Sequence, residues 1–208
     1  HAAALKHVDR CELNPFETIN VNIVGTKNII KSAQKEKVKK MILISTDKAV
    51  NPIGVMGATK LLGEKLISAE SSNNSKTIFA SVRFGNVFNT RGSILPRIEK
   101  QIANGGPITL TNPEMKRFFM TKKESVNLIL SATTLAKGGE TFVLKMPLIS
   151  LKDLFDSMKD ILASKYAYKP SQIETKIIGT RPGEKLVEYL LNEFEMENVL
   201  ETKEFFII

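Results

Sequence analysis

The stretch KMILISTDKAVNPIGVMGATKLLGEKL (residues 40–66) joins two segments whose apolar residues recur with different periods. The first segment, Met41 to Ile44, is a short continuous apolar run of the kind found in strands that are buried on both faces of a parallel sheet. The second segment begins near Val55 and shows the apolar spacing of a helix. A buried strand followed by a helix is the repeating unit of α/β folds, so this stretch predicts a parallel sheet covered by helices.

The residues on either side continue the alternation of helix and strand. Upstream, NPFETINVNIVGTKNIIKSAQKEK (14–37) predicts a helix over about 15–36, with Pro15 at its first position. Downstream, TIFASVRFGNV (77–87) is rich in β-branched and aromatic residues and predicts a second strand. Helix, buried strand, helix and strand in this order predict a doubly wound α/β sheet.

After Asn89 the pattern changes, and the sequence predicts a smaller lobe packed against the sheet. Residues 93–106, 122–139 and 151–164 predict helices, and residues 107–112, 141–146 and 173–179 predict strands. RPGEK (181–185) leads into a last predicted helix near 184–193. We expect residues 1–90 to belong to the sheet domain and 91–208 to form the substrate-binding region, with segments near 118–146 returning to the sheet.

The composition limits the classes of site and of partner. No apolar run approaches the roughly 20 residues that cross a bilayer, so we expect the chain as given to be soluble and cytoplasmic. The single Cys11 excludes an internal disulfide, and one Cys with two His predicts no metal site. The net charge of +8 favours an anionic partner, but the chain has no Trp and only three Tyr, so we expect no nucleic-acid binding.

Polar residues follow the first predicted strand at the end where parallel sheets bind ligands. Ser45, Thr46, Asp47 and Lys48 come directly after the apolar run, and Lys60 lies about one helical turn after a Met. These residues are therefore candidates for a site. The alternative for each residue taken singly is structural, with Asp47 capping a turn and Lys60 lying on the surface.

At this point the sequence resembles a known family. A Ser or Thr at a strand end, followed on the next helix by a Tyr-x-x-x-Lys pair, is the layout of extended short-chain dehydrogenases/reductases, and MGATK (56–60) fills that frame with Met56 in the Tyr place. The motifs HAAALKHV, ISTDKAVNP, VRFGNV, GPITLTNPEMKRFFMT and GTRPGEKL together resemble the UDP-N-acetylglucosamine 4,6-dehydratases, the CapD-like group of polysaccharide biosynthesis. The resemblance covers nearly the whole chain and weakens only in its last dozen or so residues. In this family Met in the Tyr place is typical of long, membrane-anchored members.

The resemblance implies a Rossmann-like, NAD-dependent lyase that acts on a UDP-N-acetylhexosamine. The sugar is oxidised at C4, water is lost across C5 and C6, and hydride returns to C6. By resemblance Asp47 is the acid, Lys48 is the base and Lys60 orients the nicotinamide ribose. Because Met56 has no proton to exchange, we expect Thr46 or Asp47 to take the proton of the 4-hydroxyl.

The resemblance also implies residues that bind the cofactor and the substrate. Those expected to contact the cofactor are His1, Ala2, Ala3, Ser45 and Lys60. Those expected to bind the UDP-sugar are Lys6, Asn86, Arg117, Arg181 and Glu184, with both Arg near the phosphates because a guanidinium presents a planar fork of donors. Asn22 is expected to hold its helix beside the site. We also expect a homo-oligomer.

One motif of the family is absent from these residues. Gly54-x-x-Gly57 continues to Lys60 rather than to a third Gly, so it is not the Gly-rich turn that holds the dinucleotide pyrophosphate. The family pattern places that turn and its strands upstream of His1. We therefore expect an exposed sheet edge and weak NAD binding unless another segment supplies the missing half. An NAD-dependent UDP-sugar 4-epimerase and a non-catalytic remnant that binds a nucleotide sugar stay open as alternatives.

Overall fold

The computed structural model describes residues 1–71, 76–90 and 92–208 of the chain. The α-helices are α1 (Val8–Leu13), α2 (Pro15–Ile19), α3 (Gly25–Lys35), α4 (Val55–Ser71), α5 (Ile94–Ala103), α6 (Lys122–Leu135), α7 (Leu151–Leu162) and α8 (Glu193–Glu197). A π-helical turn spans Asn20–Val24, and 3₁₀ turns span Asp47–Ala49, Ser164–Tyr166 and Pro170–Gln172. The expected region boundary at residue 91 lies outside the described residues.

The strands form one main sheet and two small ones. They are β1 (Lys40–Thr46), β2 (Ile78–Phe84), β3 (Asn86–Val87), β4 (Ile108–Leu110), β5 (Lys116–Met120), β6 (Thr141–Leu144), β7 (Leu148–Ser150), β8 (Thr175–Ile177), β9 (Leu200–Glu201) and β10 (Phe205–Ile207). The main sheet has the order β1-β2-β6-β10-β9, in which β1, β2 and β6 run parallel and β10 is antiparallel to both of its neighbours. The predicted parallel α/β sheet is confirmed.

Helices cover both faces of this sheet because successive residues of a strand point to opposite sides. On one face Met41 and Leu43 of β1 pack with Ile30 of α3 and Ile67 of α4. On the other face Ile42 lies in one cluster with residues of α6, among them Leu128 and Ala132. The continuous apolar run in β1 is thus explained by burial on two sides, as expected for a doubly wound sheet.

The helical segment before β1 runs from Pro15 to Lys35 and includes the π-helical turn. At that turn the buried side chain of Asn22 joins three parts of the chain. Its Oδ1 accepts from the backbone N of Leu5 at 2.8 Å, and its Nδ2 donates to the Leu5 carbonyl and to the Thr59 hydroxyl, each at 3.0 Å. Asn22 therefore holds the first residues of the chain and α4 together.

The strand β1 is the end strand of the main sheet. On its outer side the backbone N of Ile44 donates to the carbonyl of His1 at 3.1 Å. Within residues 1–71, 76–90 and 92–208 no strand pairs with that side of β1. The terminal nitrogen of His1 also donates to the Ile42 carbonyl at 2.8 Å, so His1 covers part of the edge that the sequence predicts to be exposed.

A second apolar core lies beside the main sheet. It is built from α5, α7 and the strands β4 and β5, and its buried members are Ile98, Ile102, Ile108, Leu110, Met115, Phe119, Leu151, Phe155, Ala163 and Ile173. The short strand β4 pairs in parallel with β8 at its edge. Meanwhile β6 returns to the main sheet beside β2. The division of the chain into residues 1–90 and 91–208 stays a prediction.

The predicted helix near 184–193 is wrong. This segment is irregular, and α8 begins only at Glu193. The reason is that its carbonyls bond to β5 instead of to their own helix: Leu186 accepts from the backbone N of Lys116 at 2.9 Å, and Lys185 accepts from the side chain of Arg117 at 2.8 Å. Pairing with a strand thus replaces the bonds that a helix would make.

The C-terminal segment is attached to the main sheet by a buried guanidinium. Arg83 of β2 is 1% exposed, and its donors reach Glu64 of α4 at 2.7 and 3.0 Å and Glu195 of α8 at 2.6 and 2.9 Å. It also donates to the Leu190 carbonyl at 3.1 Å. Burial alone would raise the pKa of Glu195, but the hydrogen bonds and charge of Arg83 hold that pKa below its usual range.

Candidate active site

A cavity of about 490 Å³ opens at the carboxyl end of β1, between the main sheet and the second core. This volume is in the range of sites for small molecules. Its wall includes the end of β1, the first turns of α4, and residues within 84–90, 92–97 and 181–188. The topology thus places the cavity where parallel sheets bind ligands.

The residues directly after β1 form a contact at this wall. Asp47 is 0% exposed, and its Oδ1 accepts from the Thr46 hydroxyl at 2.9 Å and from Lys48 Nζ at 3.0 Å. Its Oδ2 is buried and has no hydrogen-bond partner in the part of the chain that the structure describes. Thr46 and Lys48 line the cavity, whereas Asp47 lies behind them.

Local backbone geometry explains this arrangement. The chain leaves β1 in a 3₁₀ turn in which the backbone N of Lys48 donates to Thr46 Oγ1 at 3.4 Å. The helix α4 begins at Val55, whose backbone N donates to the Glu12 carboxylate at 2.6 Å. A Cβ on Gly57 would collide with the carbonyl of Lys48, so a glycine there lets α4 pack against the turn.

Met56 and Lys60 lie one turn apart on α4, and both line the cavity. Lys60 Nζ donates to the carbonyl of Ile44 at 2.8 Å, and burial lowers the pKa of Lys60 while Glu64 and Cys11 partly oppose that shift. Met56 is buried and carries no proton to exchange. Polar groups on this side of the cavity come instead from Lys60 and from Ser45, Thr46 and Lys48 at the end of β1.

The sequence prediction missed a buried carboxylate next to Lys48. Glu188 is 3% exposed, and it lies between two ammonium groups: Lys48 Nζ is 3.6 Å from Oε1, and Lys185 Nζ is 3.4 Å from Oε2. Lys185 also donates to the Val50 carbonyl at 2.6 Å. No hydrogen bond of good geometry reaches Oε2 from the described residues. Charges thus alternate from Asp47 through Lys48 and Glu188 to Lys185.

Glu188→Gln is expected to lower the free energy of unfolding by about 1–3 kcal/mol, the range for leaving a buried polar or charged group without its partner. The substitution keeps the shape of the side chain but leaves the ammonium groups of Lys48 and Lys185 without their shared carboxylate. Urea unfolding followed by circular dichroism measures the change.

Glu201→Gln is the matched control, because Glu201 pairs with Lys145 at the exposed surface. Its expected cost is below about 1 kcal/mol. Equal costs for Glu188→Gln and Glu201→Gln would contradict the assigned role of the buried carboxylate.

The residues expected to bind the substrate reach the same cavity from several segments. Lys6, Asn86, Arg181 and Glu184 line it, and the backbone N of Arg181 donates to the Glu184 carboxylate at 3.2 Å. Arg181 and Glu184 come from the same segment, RPGEK, whereas Lys6 and Asn86 come from two other parts of the chain. The structure therefore brings these residues together around one space.

Arg117 also lines the cavity, but its donors are engaged elsewhere. The guanidinium donates to the carbonyls of Lys116 at 2.9 Å, Leu186 at 3.0 Å and Lys185 at 2.8 Å, and it contacts Met115 Sδ at 3.4 Å. Arg117 is buried. In this structure it holds the segment at 185–186 against β5.

Only some of the residues expected to contact the cofactor line the cavity. Ala2 and Lys60 line the cavity, and so does Ser45, whose buried hydroxyl has no partner among the described residues. His1 and Ala3 are not part of the cavity wall. The His1 ring lies 3.1 Å from the Thr26 hydroxyl, on the outer side of β1.

Among the helices of residues 1–71, 76–90 and 92–208, none is both long and apolar enough to span a bilayer. Within the same residues no group of three or more His, Cys, Asp or Glu side chains could hold a metal ion.

The sequence model of one family, described as polysaccharide biosynthesis protein, matches residues 1–208. A membrane protein of Methanocaldococcus jannaschii, MJ1061, is 57% identical over 210 residues, which are 100% of this chain and 63% of that protein. The capsular polysaccharide biosynthesis protein CapD of Staphylococcus aureus is 49% identical over 94% of this chain and 32% of its own length. A UDP-glucose 4-epimerase of Rickettsia rickettsii is 41% identical over 100% of this chain and 60% of its own length.

Solved structures agree with the fold. Pen from Bacillus thuringiensis superposes with a TM-score of 0.94 at 45% identity, over 99% of this chain and 63% of that one. DesIV of Streptomyces venezuelae, a dTDP-glucose 4,6-dehydratase, has a TM-score of 0.77 at 18% identity and shares the fold alone, over 94% of this chain and 64% of that one. The chain spans between about a third and somewhat under two thirds of the length of these curated relatives.

Proposed function

The chain belongs to the polysaccharide biosynthesis protein family, and on that premise we propose that its cavity is the site of NAD-dependent 4,6-dehydration of a UDP-N-acetylhexosamine. The relatives named CapD and UDP-glucose 4-epimerase support a nucleotide-sugar-modifying enzyme. The choice of dehydration rests on side chains of this chain rather than on those names.

One observation carries the proposal: Asp47 and Lys48 are in contact, with 3.0 Å between Oδ1 and Nζ, at the wall of the cavity. Loss of water across C5 and C6 needs a base for the C5 proton and an acid for the departing hydroxyl. An epimerase only moves hydride at C4 and has no task for such a pair. Met56, in the place where a proton-exchanging Tyr would be expected, is further support.

The residues present fit one end of NAD. Lys60, with its lowered pKa, and the unpartnered hydroxyl of Ser45 line the wall where the nicotinamide ribose would lie. When bound, NAD supplies hydride acceptance at C4 and hydride return to C6. The sequence has no Gly-rich turn for the pyrophosphate, so we propose that these 208 residues alone bind the dinucleotide weakly.

Proton movements at the sugar follow from the Thr46–Asp47–Lys48 contact. Transfer of a proton from Lys48 to Asp47 along their contact yields a neutral amine and a neutral acid. The Lys48 amine then takes the C5 proton while the C6–O bond breaks, and the leaving oxygen departs as water with the proton of Asp47. Because Thr46 lies on the wall and Asp47 behind it, that proton passes through the Thr46 hydroxyl.

After the elimination Asp47 is again a carboxylate and Lys48 an ammonium. Lys48 then gives a proton to C5 as hydride arrives at C6, which leaves a neutral amine. The amine regains a proton from solvent, and this proton balances the one that the 4-hydroxyl releases when C4 is oxidised, so the site ends in its starting charge state. Glu188, at 3.6 Å from Nζ, lies on the other side of Lys48 and helps to hold its side chain in place. We assign the Thr46 hydroxyl as the relay that passes the 4-hydroxyl proton to solvent in the cavity as C4 is oxidised, because Met56 cannot exchange a proton.

A UDP-sugar 4-epimerase is the second candidate, and it is favoured by the name of the Rickettsia rickettsii relative, 41% identical over the whole chain. An epimerase would use Lys60 and Thr46 but would leave Asp47 and Lys48 without a chemical role. The two candidates predict different products from the same substrate.

The test is mass spectrometry of UDP-N-acetylglucosamine incubated with NAD⁺ and the protein. The chain is assayed alone and joined to any coding sequence that precedes His1 in its gene. We expect a product lighter by one water, with a keto group at C4. A product of unchanged mass with inverted C4 would establish the epimerase instead, and no product in either form would leave only a nucleotide-sugar-binding role.

A further inference from the structure

Arg97 is a cation at the cavity wall that the proposed reaction does not use. Arg97 lies on α5 and is half-buried. It lines the cavity together with Ser93 and Ile94, which precede it in the chain. Its Nε is fully buried and has no hydrogen-bond partner in the described part of the chain, and its Nη2 reaches the Thr109 carbonyl only at 3.5 Å. The described residues thus engage the guanidinium through one long hydrogen bond, which leaves most of its donors without a protein acceptor, and an anion in the cavity that Arg97 lines would supply one.

The charges around Arg97 favour an anionic acceptor. Burial lowers its pKa first, the nearby Arg181 guanidinium lowers it further, and Glu184 partly opposes both. Arg181 and Glu184 line the same cavity. Two guanidinium groups therefore face one carboxylate there, which leaves an excess positive charge.

Arg117 does not provide this charge to a ligand. Its guanidinium is already shared among the carbonyls of Lys116, Lys185 and Leu186. The N-terminal end of α5 also lies at the wall, where the helix dipole adds to the positive field. The guanidinium donors that are available to a ligand are thus those of Arg97 and Arg181 rather than those of Arg117.

We propose that Arg97, together with Arg181, binds the diphosphate of a nucleoside diphosphate sugar, in the place that the family resemblance assigns to Arg117. The proposal rests on the proposed function for its ligand class. Guanidinium groups suit this task because they present several donors in a plane to phosphate oxygens. Arg97 then contributes to the affinity for the nucleotide and leaves the proton transfers at Lys48 unaffected.

The test is calorimetric titration of the chain with UDP and with uridine. For Arg97→Gln we expect the affinity for UDP to fall about ten- to a hundredfold, as for loss of hydrogen bonds to a charged group. The affinity for uridine, which has no phosphate, should stay unchanged. Lys100→Gln is the matched control, because Lys100 is an exposed cation on the same helix, and its UDP affinity should remain within about twofold of the parent.

Different failures are distinguishable in this design. If the parent chain binds uridine and UDP equally, or neither, the nucleotide-sugar proposal fails and this inference fails with it. If the parent binds UDP and Arg97→Gln binds it equally well, only the assignment of Arg97 is overturned. Equal losses for UDP and uridine would overturn it too, because they would indicate a change in the shape of the cavity. Arg97→Lys, which keeps the charge but loses the fork, should bind UDP with intermediate affinity.

Discussion

Arg83→Met is expected to lower the free energy of unfolding by about 3–5 kcal/mol, the cost of removing one partner from a buried ion pair. The guanidinium is 1% exposed and satisfies two carboxylates, Glu64 and Glu195. Met fills much of the same space, but it leaves both carboxylates buried without a counter-charge. Because a domain is stable by only about 5–15 kcal/mol, we expect a large shift in the urea midpoint.

The measurement is urea unfolding of the parent, Arg83→Met and Arg10→Met. Arg10 is exposed, so the same substitution there should change stability by no more than about 0.5 kcal/mol. A loss at Arg83 that is no larger than the loss at Arg10 would contradict the role given to the buried network.

The pH dependence of the free energy of unfolding of the parent protein tests the same Arg83–Glu195 contact. The pKa of Glu195 is held below its usual range in the folded state, so its contribution is fully present above the unfolded value of about 4.3. That contribution is lost as the pH falls through the lower, folded pKa. In Arg83→Met the pKa of Glu195 is no longer held down, so this part of the acid destabilisation should be absent.

Lys48→Met is expected to slow the proposed dehydration by about 10²–10⁴-fold, the range for loss of a general base. The substitution removes the amine that takes the C5 proton, while Asn86, Arg181 and the rest of the wall remain in place. Binding of UDP should therefore stay within a few-fold of the parent. The rate is measured as formation of the dehydrated sugar, and UDP binding is measured in parallel by calorimetry.

Two companions make the result at Lys48 specific. Asp47→Asn keeps the size of the side chain but cannot supply the acid, so we expect a loss of the same order. Lys123→Met removes an exposed lysine and should leave the rate unchanged. Full activity of Lys48→Met in a folded protein would rule out Lys48 as the base.

The local part of the fold could be predicted because it depends on short-range patterns. The apolar run before Ser45 indicates β1, and the spacing after Val55 indicates α4, so the position of Lys60 one turn after Met56 follows from sequence. The polar residues at the end of β1 were found for the same reason, because a parallel sheet exposes its strand ends at one edge.

The parts that could not be predicted depend on contacts between distant residues. Arg83 and Glu195 are 112 positions apart, and no periodicity connects them. The segment after Gly183 carries a helical pattern, but β5 captures its backbone carbonyls at Lys185 and Leu186. The short strand β10 at the end of the chain takes its place in the main sheet by pairing with β6, which is distant in sequence, and β9 joins the sheet through β10.

Motif resemblance and geometry assign diphosphate binding to different arginines, Arg117 and Arg97. The motif KRFF marks Arg117, yet its donors bond to backbone carbonyls, whereas Arg97 lies in no motif and has a buried donor without an acceptor. A signal existed in the sequence, because an Arg within an otherwise amphipathic helix next to Pro96 is an unusual place for a half-buried charge. Only the assembled cavity gives that signal a meaning.

The central claim, that the Asp47–Lys48 pair acts at C5 and C6 of a nucleotide sugar, is tested most directly by running the reaction in heavy water. UDP-N-acetylglucosamine is incubated with NAD⁺ and the protein, including any coding sequence before His1, and the product is analysed by mass spectrometry and NMR. The account predicts a product that has lost one water and gained one deuterium at C5, because Lys48 exchanges its protons with solvent before it returns one to C5. A sugar of unchanged composition with no deuterium, or a dehydrated product with hydrogen retained at C5, would contradict it.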